Sequence, residues 1–188
     1  MKKILAALAA IATIGFAGGD ITPVEPVIPA STDEGFYFVG KIGSGQTFET
    51  SDWNYFDEDA GNNVYGMVGL ATGYRYRITP EWFVDGELGL YTSFYGQDGM
   101  GRTDYDISVR PGYTFTGYGI DVYGILAETY TKIEGAGHDW TTGVGIGAGY
   151  NVTEKIKVTA EYQYQIQDFN GFDNVKNDKV MVGLRYSF

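Results

Sequence analysis

Along residues 36–188, apolar and polar side chains alternate with a period of two in eight segments separated by clusters of Gly, Asp, Asn, Thr and Pro. Such alternation marks strands with one wet and one dry face. It is cleanest at 156–167, where Ile156, Val158, Ala160, Tyr162, Tyr164 and Ile166 share one face. Lys157, Thr159, Glu161, Gln163, Gln165 and Gln167 share the other. At 180–188, Val180, Val182, Leu184, Tyr186 and Phe188 alternate with Met181, Gly183, Arg185 and Ser187. Further strands are read at 36–44, 64–78, 82–94, 105–115 and 140–150. The segment 121–131 is ambiguous, because setting Val122 and Leu126 on the apolar face puts Glu128 there too; a strand containing a bulge is the open alternative. Pro111 is a second blemish, since proline removes one ladder hydrogen bond.

Half-polar strands close in two ways. A soluble barrel turns its apolar face inward, and a membrane barrel turns it outward and keeps polar groups inside. Aromatic residues decide between them. On the apolar face Tyr74, Tyr76, Tyr113, Phe115, Tyr150, Tyr186 and Phe188 fall at one level, and Phe94, Tyr130, Trp140, Tyr162 and Tyr164 near the other. Two aromatic bands around an aliphatic middle are what two membrane interfaces select. Connections at 79–82, 116–120 and 151–155 are short, and those at 45–63, 95–104, 132–139 and 168–178 are longer. The expectation is an all-β, eight-stranded antiparallel up-and-down transmembrane barrel with short periplasmic turns and longer extracellular loops.

The N-terminus adds an address. Met1-Lys2-Lys3 precedes the 14-residue apolar run Ile4 to Ala17, too short to span a bilayer as a helix. A cationic start, a short apolar stretch and small residues at its end describe a secretory signal peptide, read as 1–17 with cleavage after Gly19 as the alternative. Residues 18–35 carry Pro23, Pro26 and Pro29, a spacing suited to an extended periplasmic tail, and 36–188 form the barrel.

Composition narrows the function. There is no cysteine and one histidine, so disulfide frameworks, thiol catalysis and zinc sites of N and S ligands are excluded. The formal charge of −11 argues against a nucleic-acid partner, which needs a basic face. The polar face carries both signs: Lys41, Arg75, Arg77, Arg110, Lys157 and Arg185 against Asp85, Glu87, Asp106 and Glu161. Placed in a narrow lumen, these charges are expected to pair as a structural network; eight strands leave room for side chains and little else.

The chain resembles small outer-membrane barrels of the OmpA/OmpX and opacity-protein type. The resemblance rests on the signal sequence, the opening Gly35-Phe-Tyr-Phe-Val-Gly40 and the closing Val182-Gly-Leu-Arg-Tyr-Ser-Phe188. It implies residence in the Gram-negative outer membrane, with its lipids and lipopolysaccharide as partners. It also implies insertion by the barrel-assembly machinery through Tyr186 and Phe188. The loops, rich in Tyr, Trp and Asp, could separately contact a host or cell-surface ligand, although their sequence names no receptor. No cofactor and no catalysis are implied. The reading is a non-enzymatic structural or surface-interaction protein; a narrow channel for small solutes is the alternative.

Other candidate chemistry is weaker. Gly143-x-Gly145-x-x-Ala148 imitates a dinucleotide fingerprint but lies in a strand with no helix after it. Its inward glycines are better read as room for large residues such as Tyr65 or Arg110. His138, read as a loop residue beside Asp139, has no serine within ten residues, unlike the lipid A-modifying barrels. Asp57-Glu58-Asp59 with Asn62 and Asn63 could offer oxygen ligands to Ca²⁺, although a solvated acidic tip is the simpler reading. Asn151-Val-Thr153 matches a glycosylation triplet in a periplasmic turn and is discounted.

Overall fold

The computed structural model describes residues 33–48, 63–96, 101–134, 137–169 and 172–188. These form eight strands: β1 (Gly35–Phe48), β2 (Asn63–Arg77), β3 (Trp82–Gly96), β4 (Arg102–Phe115), β5 (Ile120–Ile133), β6 (Gly137–Asn151), β7 (Ile156–Phe169) and β8 (Phe172–Ser187). Each pairs antiparallel with its neighbours in sequence, and β8 returns to β1, so the sheet closes without an edge. The ladder partners Tyr37, Gly73, Glu87, Ser108, Ala127, Gly143, Gln165 and Asn177 lead round the wall to Thr47, not back to Tyr37. That offset of ten residues along β1 is the shear of the barrel, and it tilts the strands by roughly 35–45° from the axis.

Alternation alone predicts strands of ordinary transmembrane length between four longer links. The strands are 14 to 16 residues long, and they consume most of those links. The fourth shrinks to 170–171 and the third to 134–136, whereas 49–62 stays outside the described residues. Strands of this length at this tilt rise roughly 35–40 Å, more than the ~25 Å apolar band needs, so the surplus stands above the membrane as paired hairpin. The ambiguous segment is a regular strand: β5 runs with β4 and β6 in one register, with Glu128 on the outer face. The bulges lie elsewhere, at Gly66/Met67 and at Gln167/Phe169. Pro111 sits on the outer face of β4 opposite Val84.

The periplasmic turns are built from local chemistry. Thr79 Oγ1 accepts from the amides of Glu81 and Trp82, and Thr153 Oγ1 likewise from Lys155 and Ile156. A threonine that captures the amides two and three residues on fixes a tight reversal. The third turn closes through Gly119, whose φ of 64° favours glycine.

Orientation is inverted relative to a soluble fold. Leu70 is 69% exposed, Ile146 67% and Phe36 66%, whereas Arg75 is 1%, Asp121 0% and Glu161 4%. An aliphatic wall with a charged interior is stable only where hydrocarbon bathes the wall. Phe36, Tyr74, Trp82, Tyr113, Phe115, Tyr150, Tyr186 and Phe188 ring the periplasmic end, with edge-on contacts such as Phe36–Tyr74 at 4.9 Å and Trp82–Tyr113 at 5.1 Å. Toward the other end the neighbours Tyr105, Tyr130 and Trp140 form the second band. Tyr162 departs from the expected level: it pairs with Ile146 and Val180 in the aliphatic zone, and its hydroxyl reaches Asp178 Oδ1 at 3.0 Å. The Phe94 side chain lies outside the described residues.

Candidate functional site: the charged lumen

Inward side chains of seven strands, all but β6, meet in the lumen in three tiers. The middle tier is a closed ring of alternating charge from four strands. Lys41 Nζ donates to Glu87 Oε1 (2.7 Å) and Glu161 Oε2 (2.9 Å), while Arg110 lies 2.6 Å from each carboxylate. Each cation therefore touches both anions. Two phenols complete it, Tyr123 Oη donating to Glu161 (2.9 Å) and Tyr37 Oη to Glu87 (3.2 Å).

The periplasmic tier is denser. Arg75 forks onto Asp85 at 2.7 and 2.8 Å, and its Nη1 also reaches Asp121 (2.7 Å) and Asp33 (2.6 Å). Lys157 donates to Asp33 (2.8 Å) and to Asp121, Arg185 to Asp85 (3.0 Å), and Arg77 to Asp33. Guanidinium planes stack on rings here: Arg75 lies 3.6 Å from the Phe83 centroid and Arg185 3.6 Å from that of Tyr37, a cation–π arrangement strengthened by desolvation. Burial alone would raise the carboxyl pKa of Asp33, which precedes β1, but Arg75, Lys157 and Arg77 outweigh it and hold the group well below the usual carboxylate range.

Toward the extracellular end, Asp104 accepts from Arg102 (2.9 Å), Lys179 (2.6 Å) and Thr131 (2.9 Å). Beside it Gln165 Nε2 donates to Thr129 (2.7 Å) and Thr129 to Asp106 (3.0 Å). Between the lower and middle tiers the free space is about 10 Å³, lined by Arg75, Asp85, Glu87, Arg110, Lys157 and Glu161 among others. That holds roughly one water.

Of the charges singled out from sequence, Lys41, Glu87, Arg110 and Glu161 share the middle ring, and Arg75, Arg77, Asp85, Lys157 and Arg185 share the lower tier. Asp106 stands apart: among the described residues it forms no ion pair, and a threonine binds it. Asp33, Arg102, Asp104, Asp121 and Lys179 carry no such signal in the sequence. Asp33, Arg102, Asp104 and Lys179 fall in or beside stretches that read as tail or loop, and the extra strand length brings the last three into the wall; Asp121 opens the ambiguous segment 121–131, whose faces alternation alone leaves open. The glycines of β6 do make room, but not for Tyr65 or Arg110. A Cβ at Gly147 would stand 2.4 Å from the Tyr123 ring, and those at Gly143, Gly145 and Gly149 would crowd Gln165, Gln163 and Lys157. Tyr65 instead lies over Gly45. His138 belongs to β6, not to a loop; it is exposed, with its ring 5.5 Å from that of Tyr130. The acidic run at 57–62 lies outside the described residues.

Residues 4–188 match the family described as outer membrane protein beta-barrel domain. The chain belongs to that family. It is an integral protein of the Gram-negative outer membrane, in contact with that membrane's lipids. No curated protein matches it. Among solved structures it is similar to Neisserial surface protein A (NspA), at 18% identity and a TM-score of 0.58, over 81% of this chain and 97% of that one. It is similar also to Ail, the attachment invasion locus protein of Yersinia pestis, at 20% identity and a TM-score of 0.51, over 82% and 99%. At these identities the likeness is one of fold.

Proposed function

We propose that this barrel is a non-enzymatic surface protein whose lumen is a structural core of paired charge and whose contacts with other molecules are made by its extracellular hairpins. The observation that carries the reading is the lumen: two tiers of bridged ions separated by space for about one water. A solute path would require those ion pairs to part, at a cost of several kcal/mol for each ion left unpaired in a dry interior. The name of Ail, an attachment protein, supports a surface-contact role for a barrel of this shape, as does the exposed His138, which stands above the aromatic band against the Tyr130 ring. Lipopolysaccharide is the proposed neighbour of that rim, and Tyr186 with Phe188 the proposed signal to the assembly machinery. Planar-bilayer recording tests the closed lumen. The purified barrel is expected to give no conductance steps; steady unitary steps in the unmodified protein would replace this reading with the channel.

A further inference from the structure

Asp33 lies two residues before β1, outside the ladder, yet it is 5% exposed and its carboxylate is fully used. Oδ2 accepts from Arg75 Nη1 (2.6 Å) and Lys157 Nζ (2.8 Å), and Oδ1 from Arg77 Nε (3.0 Å) and Arg77 Nη2. Four donors on two oxygens match the lone-pair capacity of a carboxylate. The donors come from β2 and β7, so the group spans the periplasmic mouth. Among the described residues, the strands bring more cations than paired carboxylates to this mouth. Arg75, Arg77, Lys157 and Arg185 gather there, and the strands supply two carboxylates in ion pairs with them, Asp85 and Asp121. Both are already shared, Asp85 between Arg75 and Arg185 and Asp121 between Arg75 and Lys157. The third carboxylate arrives from outside the barrel.

We propose that Arg75, Arg77 and Lys157 form an anion-binding cradle at the periplasmic mouth, whose ligand here is the side chain of Asp33 and which accepts a free small carboxylate when that side chain is removed. The cradle is specific for a planar, bidentate anion. Arg77 offers Nε and Nη2 to one oxygen while Arg75 and Lys157 converge on the other, so the cradle presents two separate acceptor positions, both of which a carboxylate fills and a single spherical ion does not. Held in this way, Asp33 ties the chain just before β1 to the wall and fills the cradle with a group of the chain's own. The proposal is independent of the closed-lumen reading, because the middle ring occludes the barrel whether or not the cradle is filled.

Chemical rescue tests it. The full chain carrying Asp33→Ala is inserted into lipid vesicles, and its unfolding temperature is read from the folded and unfolded bands on unboiled gels. Removing one partner from a buried ionic cluster is expected to lower that temperature by on the order of 10 °C. Sodium acetate should restore most of the loss, whereas sodium chloride at equal ionic strength should not, and the unmodified chain should respond to neither. Asp33→Asn fills the cradle with a neutral group; it should be destabilised and gain nothing from acetate. Arg77→Ala in the Asp33→Ala background should abolish the acetate response. An Asp33→Ala chain that melts with the unmodified protein overturns the proposal. So does equal recovery in acetate and chloride, which would be plain screening of crowded cations. If Asp33→Ala does not fold in dilute buffer, its refolding yield is compared in the two salts: a higher yield in acetate supports the cradle, and equal yields overturn it.

Discussion

Glu161 shows how much one side chain in this lumen holds in place. It accepts from Lys41, Arg110 and Tyr123, three groups from three different strands. Glu161→Gln keeps the shape but leaves both cations with a single full anion, Glu87. The expected loss is about 3–5 kcal/mol, the cost of breaking a buried pair from one side, measured by denaturant titration of the barrel in vesicles. Tyr123 depends on a residue with no side chain. Its ring occupies the space over Gly147, so Gly147→Ala must push the phenol off Glu161, at an expected ~1–3 kcal/mol. Gly124→Ala is the control, since nothing lies within 4 Å of the Cβ it would add, and it should leave the titration midpoint unchanged. The glycine-rich face of β6 could be read as making room from its period alone. Its partner could not, because which ring crosses the lumen depends on the shear of the whole barrel.

Among elements, β5 is the hardest to read from sequence, and the difficulty has one source. Glu128 breaks the apolar face of an otherwise regular strand, and in sequence an outward acid is indistinguishable from a register slip. The structure places it between Ile107 and Thr142, one rung below the row of Tyr105, Tyr130 and Trp140, with Thr142 Oγ1 donating to it at 2.6 Å. It therefore sits at the shoulder of the aliphatic belt. Glu128→Leu should stabilise the inserted barrel by up to about 1 kcal/mol, the cost of an acidic side chain near an interface. Ile146→Arg, in the middle of that belt, should destabilise it by about 2–4 kcal/mol. Both are read from the same titration, and the opposite signs test the orientation of the wall. The longer reach of β4, β5, β6 and β8 is hidden for a related reason. Above the membrane a hairpin has water on its outer face, so the apolar alternation fades while the backbone ladder continues.

On the scale of the whole molecule, the periplasmic mouth gives folding a dependence on pH. Asp33 has an ordinary value of 3.8 and is held lower in the folded chain by Arg75, Lys157 and Arg77, with Asp121 and Asp85 also facing those cations. A depressed carboxyl pKa contributes stability that is complete above the unfolded value and is lost as pH falls through the folded one. Unfolding temperature should therefore decline below about pH 4, and Asp33→Asn should flatten that part of the profile, as gels run across a pH series would show. Closure of the sheet is also a property of the whole. Eight alternating segments, two aromatic levels and the mixture of charges opposite the aliphatic face were enough to establish strand number, barrel class and which face meets lipid, because these follow from local periodicity and from the solvents on either side of the wall. Which cation meets which carboxylate was beyond their reach. An offset of ten residues around the barrel brings positions 120 apart in the chain, such as Lys41 and Glu161, into contact. It also lets an aspartate from outside every strand complete a cluster formed by the wall. Alternation is written along one strand at a time, whereas the pairing of charges is set by the tilt and closure of all eight together.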